Sequence, residues 1–415
     1  MRMRDRVTIL GLNFAPEPTG NAPYTAGLAR HLDAAGARVT VLTTFPHYPQ
    51  WRRYAGYSGW RSEANDHGVR LVRLRHFVPN PPRGLRRLLS EISFGVRLLV
   101  ANWHRPTAVV LVSPALFSSW LAMLRLQVQR TPRRIVWVQD LYSQGMDETG
   151  EGGGLAQGVA RSIEGWTLRR AHMVVAIHDT MASRMTTSLR VKRDRIVVIP
   201  NWSHVAPVDM EPGEARAHLN WADCFTVLHA GNIGLKQGLD VLIETAQRAA
   251  ARQLPIQFIL LGDGGERKRL EQLALGLTNL HFVEPVSDAE FPIALAAADA
   301  LLVTEATGVS EMAAPSKLTS YFAARRPVIA SVSSNGIVAK IMAAAQAGPV
   351  TRGGDALDLL TAVDLLAHNP EWRERAAKNA KEYWQEQLGP DRALTAWERV
   401  LSATILGGAA RGETE

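Results

Sequence analysis

Four stretches of the chain combine residue types suited to handling an anion. The clearest is residues 225–243, FTVLHAGNIGLKQGLDVLI. Residues 226–229 form an apolar run that reads as a buried strand. Gly231 and Gly234 bracket a tight turn, Lys236 follows, and residues 238–250 take up an apolar rhythm of helical period. A strand that passes through glycines into a helix start lets the backbone come close to a phosphate, and the free N–H groups of the first turn face it. Gly20 offers the same opportunity to a phosphate or a sugar at the end of NFAPEPTGN, or else merely permits a turn. Gly262 and Gly264, in GDGG, end one strand and begin a helix. Pro315, Ser316 and Lys317 open another helix. There the Ser316 hydroxyl can cap, leaving N–H groups for an anion, and Lys317 can add a point charge. A fifth candidate is acidic. Asp140 stands at the C-terminal end of an apolar strand, where open parallel sheets bind ligands.

Other chemistries lack their residues. None of the glycine loops fits the Walker A pattern, and the first is not GxGxxG, which argues against a hydride-transferring dehydrogenase. There is no HExxH and no close His/Asp ligand cluster, so no metal is expected. The single cysteine, Cys224, excludes an intrachain disulfide and a thiolate cluster, and fits a reducing cytoplasm. The net charge of +8 allows nucleic acid, an anionic membrane or a phosphorylated substrate as partner. Without a helix-turn-helix, zinc-finger or RNP pattern, nucleic acid is not expected.

The elements that must position these residues follow a repeated βα rhythm. Strands are predicted at 7–11, 39–43, 69–73, 108–113, 135–138, 173–177 and 197–200, with a first helix at 22–35 carrying Tyr24, Leu28 and Leu32 on one stripe. The proline-rich segment at 201–213 reads as an inter-domain linker. A second series follows, with strands at 226–229, 256–261, 280–283, 300–303 and 328–330 and helices between them. The expected division is therefore an N-terminal Rossmann-like, acceptor-binding domain over 1–200, a linker over 201–215, a donor domain over 216–385 and a helical tail over 386–415 that can return to the first domain. The N-terminus, MRMRDRVTIL, enters a strand directly and shows no signal-peptide pattern.

Two segments fit neither rhythm. Residues 45–60, FPHYPQWRRYAGYSGW, form an aromatic and basic loop. In residues 85–103 the apolar positions Leu85, Leu88, Leu89, Ile92, Val96 and Leu99 lie among Arg83, Arg86, Arg87 and Arg97. That pattern suits an amphipathic helix on an anionic leaflet. It also suits an ordinary helix packed on the sheet with a charged outer face.

The blocks NFAPEPTGNAPYTAGLA, TTFPHYP, SPALF, QDLY, IPNW, HAGNIGLKQGLD, LLGDGGERKRL and APSKLTSYFAARRPVIAS occur in this order between Asn13 and Ser331. Together they resemble the retaining glycosyltransferases of family 4, specifically the branch that builds bacterial colanic acid and O-antigen polysaccharides. The resemblance implies an α/β GT-B fold of two Rossmann-like domains facing each other across a cleft. It implies a metal-independent hexosyl- or deoxyhexosyltransferase that uses a UDP- or GDP-sugar as co-substrate and needs no cofactor. The acceptor implied is a polyprenyl-diphosphate-linked saccharide, and the location the inner face of the cytoplasmic membrane. Lys236 then matches the lysine that neutralises the diphosphate, Gly20 the glycine under the reacting sugar, and Asp140 a polar position near the transferred sugar. Gly231, Asn232, Gly234, Gly262, Gly264 and Val283, with Pro315, Ser316, Lys317 and Leu318 of the PSKL block, match the nucleotide-sugar site.

The chain departs from the wider family where many members carry Glu-x7-Glu. Met312 and Ser320 stand at those positions, and Gln139 precedes Asp140 where many members have His. Two other readings follow. A GT-B sugar-nucleotide epimerase would need an acid/base set, for which only Asp140 and Glu311 present themselves. A non-catalytic nucleotide-sugar-binding assembly protein would explain the missing glutamate at Ser320, but not the presence of both Lys236 and Lys317.

Overall fold

A computed structural model describes residues 5–18, 20–81, 84–129, 132–143, 154–203, 205–307 and 316–412. The chain divides into two compact units, Met1–Asn201 with Asp391–Glu415, and Trp202–Pro390.

The first unit contains β1 (Arg6–Leu10), α1 (Ala22–Ala34), β2 (Arg38–Thr44), β3 (Arg61–Asp66), β4 (Val69–Leu74), α2 (Leu85–Val100), β5 (Ala108–Ser113), α3 (Leu116–Val128), β6 (Arg133–Val138), α4 (Gly154–Arg169), β7 (Met173–Ala176), α5 (Asp179–Thr187) and β8 (Ile196–Val198). Its sheet runs β3-β4-β2-β1-β5-β6-β7-β8, and only the edge strand β3 is antiparallel. The central strands are apolar almost throughout because helices cover both faces of the sheet. All six residues of β5 are buried. Tyr24, Leu28 and Leu32 of α1 are buried as one stripe. β3, sequence RSEAND, was not foreseen. It is polar and largely exposed, and it pairs with β4 through a turn at His67–Gly68, so it carries no apolar signature.

The second unit contains α6 (Pro212–Leu219), β9 (Phe225–Ala230), α7 (Asp240–Ala251), β10 (Ile256–Leu261), α8 (Arg267–Leu273), β11 (Leu280–Val283), α9 (Phe291–Ala296), β12 (Ala300–Thr304), α10 (Ser316–Ala323), β13 (Val328–Val332), α11 (Ile337–Ala345), β14 (Val350–Arg352), α12 (Ala356–His368) and α13 (Pro370–Tyr383). The sheet order is β11-β10-β9-β12-β13-β14, all parallel. Alternate residues feed opposite layers. Val227, Phe258 and Leu260 join one apolar cluster, while Leu228, Ile259 and Leu261 join the other. α6 lies where the sequence suggested linker. Its Arg216 is buried and ion-paired to Asp223 and Asp299, which ties that turn to its own unit.

A last helix, α14 (Pro390–Gly412), packs Trp397 edge-on to Trp137 of β6, with ring centres 4.9 Å apart, and pairs Glu398 with His31 of α1. In both sheets the strand order reverses at one place, between β1 and β5 and between β9 and β12. Loops leaving the C-terminal ends of those strands diverge there, and the resulting crevice is where doubly wound sheets bind ligands. Among the described residues no helix is long and apolar enough to cross a membrane.

Candidate functional site

In the second unit the crevice is built from the loop after β9. Gly231 takes φ +126°, and a Cβ there would lie 3.0 Å from Lys317 Cε. Gly262 takes φ +138°, and a Cβ on it would lie 2.0 Å from the Gly231 carbonyl oxygen. A Cβ on Gly264 would lie 2.2 Å from the Ile233 carbonyl oxygen. These two glycines let the loops after β9 and β10 lie against each other, an arrangement closed by Ile233 N–H donating to the Asp263 carbonyl. Val283 ends β11 half-buried, and its carbonyl accepts from Gly262 N–H.

Lys236 was expected just ahead of a helix running from 238. It instead occupies a separate 3-10 turn, Leu235–Gln237, because Gly238 adopts a left-handed φ of +58° and α7 starts only at Asp240. The Gln237 side chain accepts from Gly234 N–H and from the Asn232 amide, which fixes the turn, and Ala306 N–H donates to the Lys236 carbonyl. The Lys236 side chain is exposed.

Lys317 sits in the first turn of α10, with Nζ 2.7 Å from His229 Nε2 and 3.5 Å from the Asn232 carbonyl oxygen. His229 Nδ1 lies 3.1 Å from the Leu302 carbonyl. A carbonyl can only accept, so Nδ1 carries the proton and Nε2 accepts from the lysine. Burial holds the imidazole well below its ordinary pKa, with Lys317 as a second cause, and burial lowers Lys317 to about 7. Tyr321 donates to the Ala230 carbonyl and accepts from Ala230 N–H, so α10 is stapled to the end of β9 at two points. Leu318 is 1% exposed and lies in the apolar core, so its side chain serves the fold rather than a ligand. Ser316 begins α10, while Pro315, Glu311 and Met312 lie outside the described residues. Glu305, just past β12, is raised to about 7 by burial.

In the first unit a cavity of about 300 Å³ opens at the strand reversal, lined among others by Gly20, Tyr48, Trp51, Glu91, Gln139 and Asp140. Gly20 takes φ +67° and faces the Tyr48 ring. Gln139 is buried and accepts from the Asn201 amide, whereas Asp140 is exposed. The turn after Asp140 is held from below by buried Glu164, which accepts from the N–H groups of Tyr142 and Ser143 at 2.7 and 3.2 Å.

Sequence reasoning assigned no site role to four acidic and imidazole groups here. Buried Glu17 accepts from His47 N–H and Tyr48 N–H and so shapes the cavity wall. Its proline-flanked setting, PEP, was the available signal. His47 meets His76 edge-on, with ring centres 4.7 Å apart. Glu91, on the packed face of α2, accepts from Phe117 N–H at the start of α3 and is raised by burial to about 7. Among the described residues no group of three His, Cys, Asp or Glu side chains could hold a metal ion.

Comparison with known proteins assigns both units. Residues 19–202 match the glycosyl transferase 4-like domain, and residues 214–383 match glycosyl transferases group 1. The putative colanic acid biosynthesis glycosyl transferase WcaI of Escherichia coli K12 is 32% identical over 336 residues, covering 77% of this chain and 81% of that protein. Sucrose-phosphate synthase from Thermosynechococcus elongatus superposes with a TM-score of 0.70 at 18% identity, covering 97% of this chain and 100% of that one. Anabaena HepE, solved with UDP bound, superposes at 0.69 and 15% identity, covering 96% and 100%.

Proposed function

This chain belongs to the GT-B glycosyltransferases that join a 4-like domain to a group 1 domain, and from that premise we propose that it moves a hexosyl or deoxyhexosyl group from a UDP- or GDP-sugar to a lipid-linked saccharide. The product belongs to a bacterial exopolysaccharide, capsule or O-antigen. The observation that carries this reading is the pairing of Lys317 with neutral His229 beside Gly231, one turn of chain from Lys236. A half-buried lysine held by a neutral acceptor suits an anion, since among the described residues no carboxylate lies within ion-pair distance of its ammonium group.

In the proposed reaction the donor diphosphate lies across the loop from Gly231 to Lys236 and the first turn of α10. The bond between the sugar's anomeric carbon and the diphosphate oxygen breaks. The acceptor oxygen bonds to the same carbon from the same face, and its proton passes to the departing diphosphate. Negative charge grows on the diphosphate, so Lys236, Lys317 and the α10 N–H groups stabilise the transition state more than the ground state. In the first unit Gly20 and Asp140 border the space for the reacting sugar and acceptor, on a floor set by Glu17 and Glu164.

We place the enzyme on the inner face of the cytoplasmic membrane, held by α2. Leu85, Leu89, Val96, Leu99 and Val100 are exposed on this helix, while Ser90, Glu91, Phe94, Gly95 and Leu98 form its packed face. That division supports the amphipathic reading over the packed one. Because lysines and helix N–H groups supply the counter-charge, turnover should proceed in excess EDTA. The test is release of UDP or GDP from a panel of nucleotide sugars, with EDTA and with Mg²⁺ or Mn²⁺. Release that is abolished by EDTA and restored by metal would defeat the mechanism. Conversion of the donor to its epimer without release would favour the epimerase instead.

A further inference from the structure

A second cavity in the first unit, about 720 Å³, is lined by Arg52, Arg53, Arg75 and Arg97 together with Trp60 and His76. Its residues come from the aromatic loop after β2, the strand exit after β4, and α2. Among the described residues none of the four arginines has a carboxylate within ion-pair distance, although the unit pairs several of its other arginines. Uncompensated guanidinium groups around one groove form a site for an anion with several oxygens, because each presents a fork matched to phosphate.

The groove is built rather than incidental. The Trp60 carbonyl accepts from Arg75 N–H at 3.0 Å and from Arg97 Nη2 at 2.9 Å. Both guanidinium groups lie over the indole, 5.0 and 5.7 Å from its centre, yet the indole is 67% exposed. His76 lines the cavity with both ring nitrogens buried and without a hydrogen-bond partner. A buried imidazole left so is costly unless a ligand completes it.

Two further facts narrow the ligand. The rim is apolar: Trp60 and Phe77 are exposed there, and Arg97 projects from the helix that exposes Leu89, Val96 and Leu99. Phe77 N–H donates to Ser93 Oγ of α2, which joins the rim to that helix. The groove also adjoins the cavity of Gly20 and Asp140, since His47 lines one, His76 the other, and their rings are 4.7 Å apart. A free phosphate would need no apolar rim, and an uncharged lipid would need no arginines.

We propose that this groove seats the diphosphate of the acceptor, with its polyprenyl chain along the exposed face of α2 and its saccharide directed to the neighbouring cavity. The proposal rests on the lipid-linked acceptor put forward above. The groove thus selects acceptors by their anionic lipid anchor rather than by their sugar.

Calorimetric titration of the full chain tests it without any donor. The probes are geranylgeranyl diphosphate, inorganic pyrophosphate, geranylgeraniol and phosphatidylglycerol vesicles. They are compared on the wild type, Arg75→Gln and the double variant Arg52→Gln/Arg75→Gln, whose side chains are exposed. Geranylgeranyl diphosphate should bind at least about tenfold more tightly than pyrophosphate, and the double variant should lose at least about tenfold in that affinity. UDP or GDP binding, which uses the second unit, should be unchanged and so reports an intact fold. Unchanged lipid-diphosphate affinity in the double variant overturns the proposal. So does pyrophosphate binding as tightly as the lipid, which means a free-anion site, or binding to vesicles alone, which means a headgroup surface. Failure of the glycosyltransferase reading shows separately, as absence of nucleotide release from every donor.

Discussion

Lys236 and Lys317 differ in setting and therefore in what their loss should do. Lys236 is exposed on a short turn whose shape is fixed by Gln237, Gly238 and Ala306, none of which needs the lysine side chain. Lys236→Ala should lower turnover at saturating donor by roughly ten- to thousandfold, the range for losing a transition-state charge contact, and leave the thermal midpoint nearly unchanged. Wild-type turnover in that variant would remove Lys236 from the role. Lys317 is lowered to about 7 in the free protein, because burial disfavours its charged form. A bound diphosphate favours the charged form and lifts that pKa, so above pH 7 binding must take up a proton and affinity must fall as pH rises. The folding linkage runs the other way. The unfolded lysine holds its proton to about 10.4, so this group's contribution to stability improves as pH rises from 7. Titrating UDP or GDP at pH 8 in two buffers of different ionisation heat should show proton uptake in the wild type and none in Lys317→Met. A buffer-independent heat in the wild type would contradict this account of the site. The sequence exposed Lys317 as a cation at a helix start, but not His229 as its holder. That histidine sits in an apolar strand, and its partner lies 88 residues away.

At the scale of elements, α2 was the point left open by the sequence. Its composition allowed either face to turn inward, because Ser90, Glu91 and Gly95 look polar or neutral and the leucines look like core. Close approach to α3 decided it. A Cβ on Gly95 would lie 2.6 Å from Leu121 Cδ1 and 3.0 Å from Ser118 Cα, so the Gly95 face lets α2 approach α3 closely, and Glu91 caps that helix's free N–H at Phe117. Phe94 and Leu98 are buried beside Gly95, and Leu85, Leu89, Val96, Leu99 and Val100 are left outside. The triple variant Leu85→Ser/Leu89→Ser/Val96→Ser should fold normally, since all three are exposed. It should lose more than about tenfold in partition onto anionic liposomes, each buried apolar side chain contributing roughly 1.5–3 kcal/mol. Co-sedimentation equal to wild type would reject α2 as the anchor. Other elements were legible or hidden for equally local reasons. The strand at 256–261 is a run of apolar residues bounded by Pro255 and Gly262, and its limits match. The helix at 212–219 was obscured by Pro212 and Gly213, which read as linker but begin a helix that proline at its first position favours.

At the scale of the whole molecule, the repeated βα order was legible because both sheets are covered on two faces and their strands are therefore continuous apolar runs. What escaped was made by long-range packing: the edge strand β3, the Glu17 and Glu164 supports, and the arginine groove, whose members come from residues 52, 53, 75 and 97. The two units present different side-chain chemistry. The second sets lysines and helix N–H groups around a glycine loop, as a leaving diphosphate requires. The first sets a polar cavity beside a basic groove and an apolar helix face, which suits the anionic lipid-linked acceptor proposed above. The central claim is transfer from the one kind of substrate to the other. It is tested most directly by incubating the enzyme with UDP- and GDP-sugars and membranes of the native host, then reading the lipid-linked saccharides by mass spectrometry and the new linkage by NMR. The account predicts one added hexose or deoxyhexose on a polyprenyl-diphosphate saccharide, stoichiometric with nucleoside diphosphate released, and with the donor's anomeric configuration kept. An inverted linkage, or release of nucleotide with no sugar on any lipid-linked acceptor, would contradict it.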